Sequence, residues 1–267
     1  MEKPKKCTIG GKTMAFLIWI FFQMITSIIN GLCFSIFSSL DYIARSIMLY
    51  TTQGISYMVF IIFFKKYLSG SNLKKCFISS EWRPYLLCLL SGIGICMSHK
   101  LIFMLIPQIG AGLFNQIGSE AFDAIQDSSR NPVIIIYTCL ILPVLEELFF
   151  RGILYNSIKR YHRNIYAVIF SAILFGISHM NLVQFISAVY MGLIIGYVIS
   201  ITNDLRLGML IHIANNTYSL ILNYFMKSDF IPYHVMVSSI AIGFLILIFS
   251  LIFLKKYIKN QADPKLI

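Results

Sequence analysis

Eight apolar runs separated by short polar stretches leave this chain few folds to adopt. They lie at about 13–37, 43–64, 84–106, 132–155, 165–180, 182–202, 206–226 and 233–254. A helix needs about 20 apolar residues to cross a bilayer, within a range of about 17–25, and most of these runs have that length. The third is interrupted by Ser98-His99-Lys100 and stops near Pro107, which predicts a kink or break. The fifth is short, and the sixth follows it almost at once. A segment surrounded by lipid must satisfy its backbone hydrogen bonds internally, and a helix does so within one segment. The expected fold is an all-α polytopic membrane bundle of about eight transmembrane helices.

Composition excludes the alternatives. Of the 267 residues, 58% are hydrophobic and only 12% charged, with a mean hydropathy of +0.77. A soluble domain carries about 25% charged residues, so this chain cannot clothe a water-facing surface of its size. The same numbers exclude disorder and a small disulfide scaffold. The net charge of +11 raises nucleic acid as a partner. Nucleic-acid binders, however, gather their lysines on a polar surface that this chain lacks, so membrane lipid is the expected surroundings and no nucleic acid is expected. The six cysteines, Cys7, Cys33, Cys76, Cys88, Cys96 and Cys139, form no CxxC pair, and four lie in apolar runs. They are read as small core hydrophobes.

Loop charges set the orientation. With eight spans, both termini share a side with Lys3, Lys5, Lys6, Lys12, Lys65, Lys66, Lys74, Lys75, Arg83, Lys159, Arg160, Arg163, Arg206, Lys255, Lys256, Lys259 and Lys265. The other side holds Arg45, Arg130 and Lys227. Seventeen against three is a positive-inside pattern, which predicts cytoplasmic termini. The apolar run from Thr13 exceeds the about 7–15 residues of a signal-peptide core, and no A-x-A site follows; a retained first span is expected. The longest external loop, about 107–131, carries Glu120, Asp123 and Asp127 and has room for a short surface helix.

Four charged residues are left inside spans: Lys100, for which no role is evident, and Glu146, Glu147 and Arg151. Ionised groups near a membrane helix centre cost about 2.5–3.5 kcal/mol each, so the last three together cost about 8–10 kcal/mol. Such a helix must face protein or a wet cavity and pair its charges, and intramembrane charges mark function by default. Glu147 and Arg151 are i and i+4, on one face in the favourable acid-before-base order. Glu146 points about 100° away, with Phe150 at its i+4 position. Two readings stand: a structural ion pair plus a carboxylate bonded to a neighbouring helix, or a brace beside a reactive Glu146.

Histidines bring in the second reading. His179 ends the fifth run in Phe175-Gly176-Ile177-Ser178-His179. An antiparallel hairpin turning near residue 162 sets 146 and 179 at about the same depth. His212 and Asn216 are i and i+4 on the seventh run. Such groups often serve as helix–helix hydrogen-bonding groups, but here they accompany a carboxylate pair across three spans. His99, His162 and His234 have no such company and are read as structural or solvated. The sequon Asn215-Asn216-Thr217 lies in a span and is disregarded.

Glu146-Glu147-x-x-x-Arg151, Phe175-x-x-x-His179 and His212-x-x-x-Asn216 follow one another on successive segments. In this order they resemble the motifs EExxxR, FxxxH and HxxxN or HxxxD of the CPBP family of intramembrane proteases, the CAAX proteases and bacteriocin-processing (Abi-type) enzymes. The resemblance covers about 131–225, the expected protease core. Residues 1–130 carry three spans and the external loop without a motif, and 226–267 the last span and a basic tail.

The resemblance implies an endopeptidase that hydrolyses a bond in a membrane-associated peptide or protein. Glu146 would be the general base, with His179 positioning the water. His212 and Asn216 would polarise the scissile carbonyl and stabilise its oxyanion, while Glu147 and Arg151 orient Glu146. Two cofactor states stay open: none, which is favoured, or Zn2+ on Glu146, His179 and His212 with an open position. HExxH is absent, and Asn is a weak ligand. A bacterial cytoplasmic membrane and a peptide-processing, immunity or regulatory role are expected, rather than a prenylated substrate. The rival readings are a non-catalytic membrane adaptor or immunity protein and a secondary transporter, whose two related halves are not seen.

Overall fold

The computed structural model describes residues 10–37, 39–68, 81–99, 131–180, 182–225 and 233–262. Among them all regular structure is helical. The helices are α1 (Gly10–Ile36), α2 (Tyr42–Phe63), the single turn α3 (Lys65–Leu68), α4 (Arg83–Ser98) and α5 (Pro132–Lys159). Then come α6 (Asn164–Ile177), α7 (Leu182–Thr202), α8 (Leu205–Phe225) and α9 (Tyr233–Ala262). Apart from α3, each falls on one of the eight expected runs. Helices α1, α2, α5, α7 and α9 are long and apolar enough to cross a membrane. Helices α4 and α6 are apolar but shorter, at 16 and 14 residues. Helix α8 has the length, 21 residues, but His212, Asn215 and Asn216 dilute its hydropathy. The protein is an integral membrane protein.

Caps account for several boundaries. Asp41 accepts the Ala44 N–H at 2.8 Å to start α2. Asn131 accepts the Val133 N–H at 2.9 Å, and Pro132, which has no N–H to leave unsatisfied, takes the first position of α5. Helix α7 is closed by Asn203 in the left-handed region, φ 53°, a conformation that Asn tolerates. One boundary runs past expectation, and another falls at the predicted break. Helix α9 continues past residue 254 and carries Lys255, Lys256 and Lys259 on its last turns. Helix α4 ends at Ser98, with His99 as its cap and the His99 N–H bonded to the Ile95 carbonyl at 2.9 Å. Lys100 and, but for its last residue, the loop expected at 107–131 lie outside the described residues.

The chain forms two compact units, Met1–Cys76 with Val144–Leu205, and Phe77–Pro143 with Arg206–Ile267. In the first, the C-terminal part of α5 is the centre: every residue from 149 to 158 is buried, and α1, α2, α3 and α6 surround it. Phe149 fills the middle of an aromatic cluster, with ring centroids 4.5 Å from Phe22, 5.7 Å from Tyr57 and 6.3 Å from Phe60. Helices α6 and α7 pack through Gly192-x-x-x-Gly196. A Cβ on Gly192 would stand 3.1 Å from Ala172, and one on Gly196 would stand 3.0 Å from Val168. Small residues let membrane helices approach where lipid supplies no hydrophobic drive to associate.

In the second unit α4 packs along α9, and the buried hydroxyls of Ser91 and Ser250 meet at 2.8 Å. Outward, α1 exposes Leu17, Phe21, Met24 and Ile28 while burying Ile18, Trp19 and Phe22. That apolar stripe fits lipid rather than water. Cys88, Cys96 and Cys139 are buried, in keeping with their reading as small hydrophobes.

Candidate functional site

The first unit holds Glu146, Glu147, Arg151 and His179. Glu146 is 7% exposed, Glu147 fully buried and Arg151 1% exposed. One helical turn apart, Arg151 Nη1 donates to Glu147 Oε1 at 2.9 Å. The guanidinium lies 4.7 Å from the centre of the Phe175 ring, and a Cβ on Gly192 would come within 2.9 Å of its Nη2. Arg151 is therefore held by a carboxylate, an aromatic face and the bare backbone of α7. Removing one member of a buried ion pair is strongly destabilising, because the other charge is left in a medium that solvates it poorly.

Helix register relates this pair to His179. The Phe150 and Phe175 rings meet at 5.0 Å across the α5–α6 hairpin. In an antiparallel pair, four residues back along α5 and four forward along α6 lead to Glu146 and His179. They occupy the same level of the first unit. His179 follows the last turn of α6, and its Nδ1 lies 2.9 Å from the Phe175 carbonyl oxygen. A carbonyl only accepts, so Nδ1 is protonated, and in the neutral ring the lone pair is on Nε2. The Phe175 ring also meets the His179 ring at 4.9 Å, edge to face.

The second unit holds His212 and Asn216. His212 is 2% exposed, and Asn216 lies one turn further along α8. Asn216 Nδ2 donates to the Thr138 carbonyl at 3.1 Å, and Asn215 Nδ2 donates to Asn216 Oδ1 at 3.1 Å. The backbone of α5 explains why that carbonyl accepts a side chain. Residues Tyr137–Ile141 form a wide π-helical turn, in which the Leu142 N–H bonds to the Tyr137 carbonyl and bypasses Thr138. The next residue is Pro143, which has no N–H. Asn216 replaces the missing helical donor with one of its two amide N–H groups. A second wide segment, Leu148–Tyr155, follows directly on Glu147. Such turns are rare in helices and often accompany functional sites.

Of the other histidines, His99 Nδ1 lies 3.1 Å from the Ile95 carbonyl oxygen, His162 packs against Tyr166, and His234 is exposed on α9. Among the described residues no group of three or more His, Cys, Asp or Glu is gathered as a metal would require. Thr138, Pro143 and Gly192 are absent from the motif reading. A proline three residues before Glu146 and the Gly192-x-x-x-Gly196 spacing were the visible signals of two of them.

Comparison with known proteins falls on the same segment. Residues 128–218 match the family model described as type II CAAX prenyl endopeptidase Rce1-like. Over 105 residues the chain is 28% identical to a Bacillus subtilis (strain 168) protein described as "Putative membrane peptidase YdiL". That alignment covers 39% of this chain and 43% of the relative, so the match spans less than half the length of either. No solved structure matches.

Proposed function

We propose that this chain is an intramembrane endopeptidase of the CPBP type acting on a membrane-associated peptide or protein, a reading supported by the Rce1-like match of residues 128–218 and by the similarity to a putative membrane peptidase. The observation that supports this reading is the Phe150–Phe175 ring contact, from which helix register carries Glu146 and His179 to a similar depth, beside the buried Glu147–Arg151 pair and inside the matched segment. Glu146 takes a proton from a water molecule, and His179, with its lone pair on Nε2, orients that water for attack. The tetrahedral oxyanion accepts hydrogen bonds from His212 and from the second N–H of Asn216. Glu146 then returns the proton to the departing amine. General-base assistance contributes about 10²–10⁴-fold, and an oxyanion donor about 10²–10³-fold.

The reaction proceeds without a metal in this reading, since Asn216 is a poor ligand and HExxH is lacking. The substrate is a bacterial peptide or membrane protein rather than a prenylated tail, in a cytoplasmic membrane with both termini inside. Two measurements test the proposal. Peptides released from membranes of cells expressing wild type should disappear with Glu146→Gln; an unchanged set would favour the adaptor reading. Purified protein should hold less than stoichiometric zinc; one zinc per chain, lost in His179→Ala, would contradict the metal-free route.

A further inference from the structure

The N-terminal region has no motif, yet one of its residues reaches the turn that carries His179. Trp19, buried in the middle of α1, donates its indole N–H to Ser178 Oγ at 2.8 Å. Ser178 Oγ in turn donates to the Leu174 carbonyl at 2.9 Å. Indole nitrogen only donates and carbonyl oxygen only accepts, so the direction of this relay is fixed. It fastens the last turn of α6 at the position next to His179. The same turn must hold its shape for the His179 Nδ1–H to reach the Phe175 carbonyl. Helix ends fray unless their groups are satisfied, and Met180, with φ 54°, stops α6 from continuing beyond it.

We propose that Trp19 is a positioning residue for His179: through Ser178 it holds the α6 terminus so that the imidazole keeps its proton on Nδ1 and its lone pair on Nε2. This deepens the protease reading, on which its catalytic consequence rests, and gives the motif-free first helix a part in the site. Packing alone does not require the bond. Phe16 stacks on the Trp19 ring at 6.0 Å, and phenylalanine at position 19 would retain an aromatic ring there. What phenylalanine removes is the N–H.

The test is ¹⁵N NMR of histidine-labelled, detergent-solubilised full-length protein, with His179 assigned by the loss of its signals in His179→Ala. Five histidines give a tractable spectrum. Wild type and Ser178→Thr, which keeps the hydroxyl, should show His179 with Nε2 unprotonated. Trp19→Phe and Ser178→Ala should turn His179 alone into a mixture of tautomers. An unchanged His179 in both, or changes spread over all five histidines in step with loss of folded protein, would overturn the proposal. This readout needs no hydrolysis, so it is separable from failure of the protease reading. With a substrate that wild type cleaves, kcat should fall about ten-fold in Trp19→Phe while KM stays within about two-fold. Equal loss in kcat and folded fraction would instead mark a purely structural residue.

Discussion

Two adjacent carboxylates, Glu146 and Glu147, are turned to different sides of α5 by helix geometry. Only Glu147 is in line with Arg151, and both partners of that pair are withdrawn from solvent. Arg151→Met should therefore leave Glu147 buried without its counter-charge and lower stability by about 3–5 kcal/mol. Thermal unfolding in detergent would show it, and Glu147→Gln/Arg151→Met should recover much of the loss. Gly192→Ala should destabilise by about 1–3 kcal/mol, because the new methyl meets both the guanidinium and Ala172; the same melt measures it. The ion pair was legible in the sequence because i and i+4 spacing is a property of one helix. The contact of Gly192 with Arg151 was not, because the Gly192-x-x-x-Gly196 spacing signals a close approach without stating which neighbour it meets.

Helix α5 changes its hydrogen-bond register on either side of its acidic pair. The helix runs on from the expected end at 155 to Lys159, whereas its start was legible, since Asn131-Pro132 defines it. The wide turns were not, because a helix bypasses a carbonyl only when something else satisfies it, and here that donor is Asn216, 78 positions away. Pro143→Ala restores an N–H that can return to the α5 backbone and compete with Asn216 for the Thr138 carbonyl. The expected outcome is a stable protein with slower cleavage, by about ten-fold or more if the oxyanion donor is misplaced. Melting and kcat on the same preparation check it; unchanged kcat would show that the carbonyl does not govern Asn216.

For the whole molecule, the membrane spans follow from hydropathy, and seventeen basic residues against three predict the orientation that a reporter can test. A reporter active only in the cytoplasm should work when fused after Lys259 and fail when inserted beside Lys227; the reverse would invert the topology. The proposed catalysis depends on a division of labour within the acidic pair, and paired variants test that division most directly. Glu146→Gln should melt like wild type and lose at least about 10²-fold in kcat. Glu147→Gln should lose stability first, through the buried Arg151 it leaves behind. A Glu146→Gln protein that cleaves substrate at the wild-type rate would contradict the account.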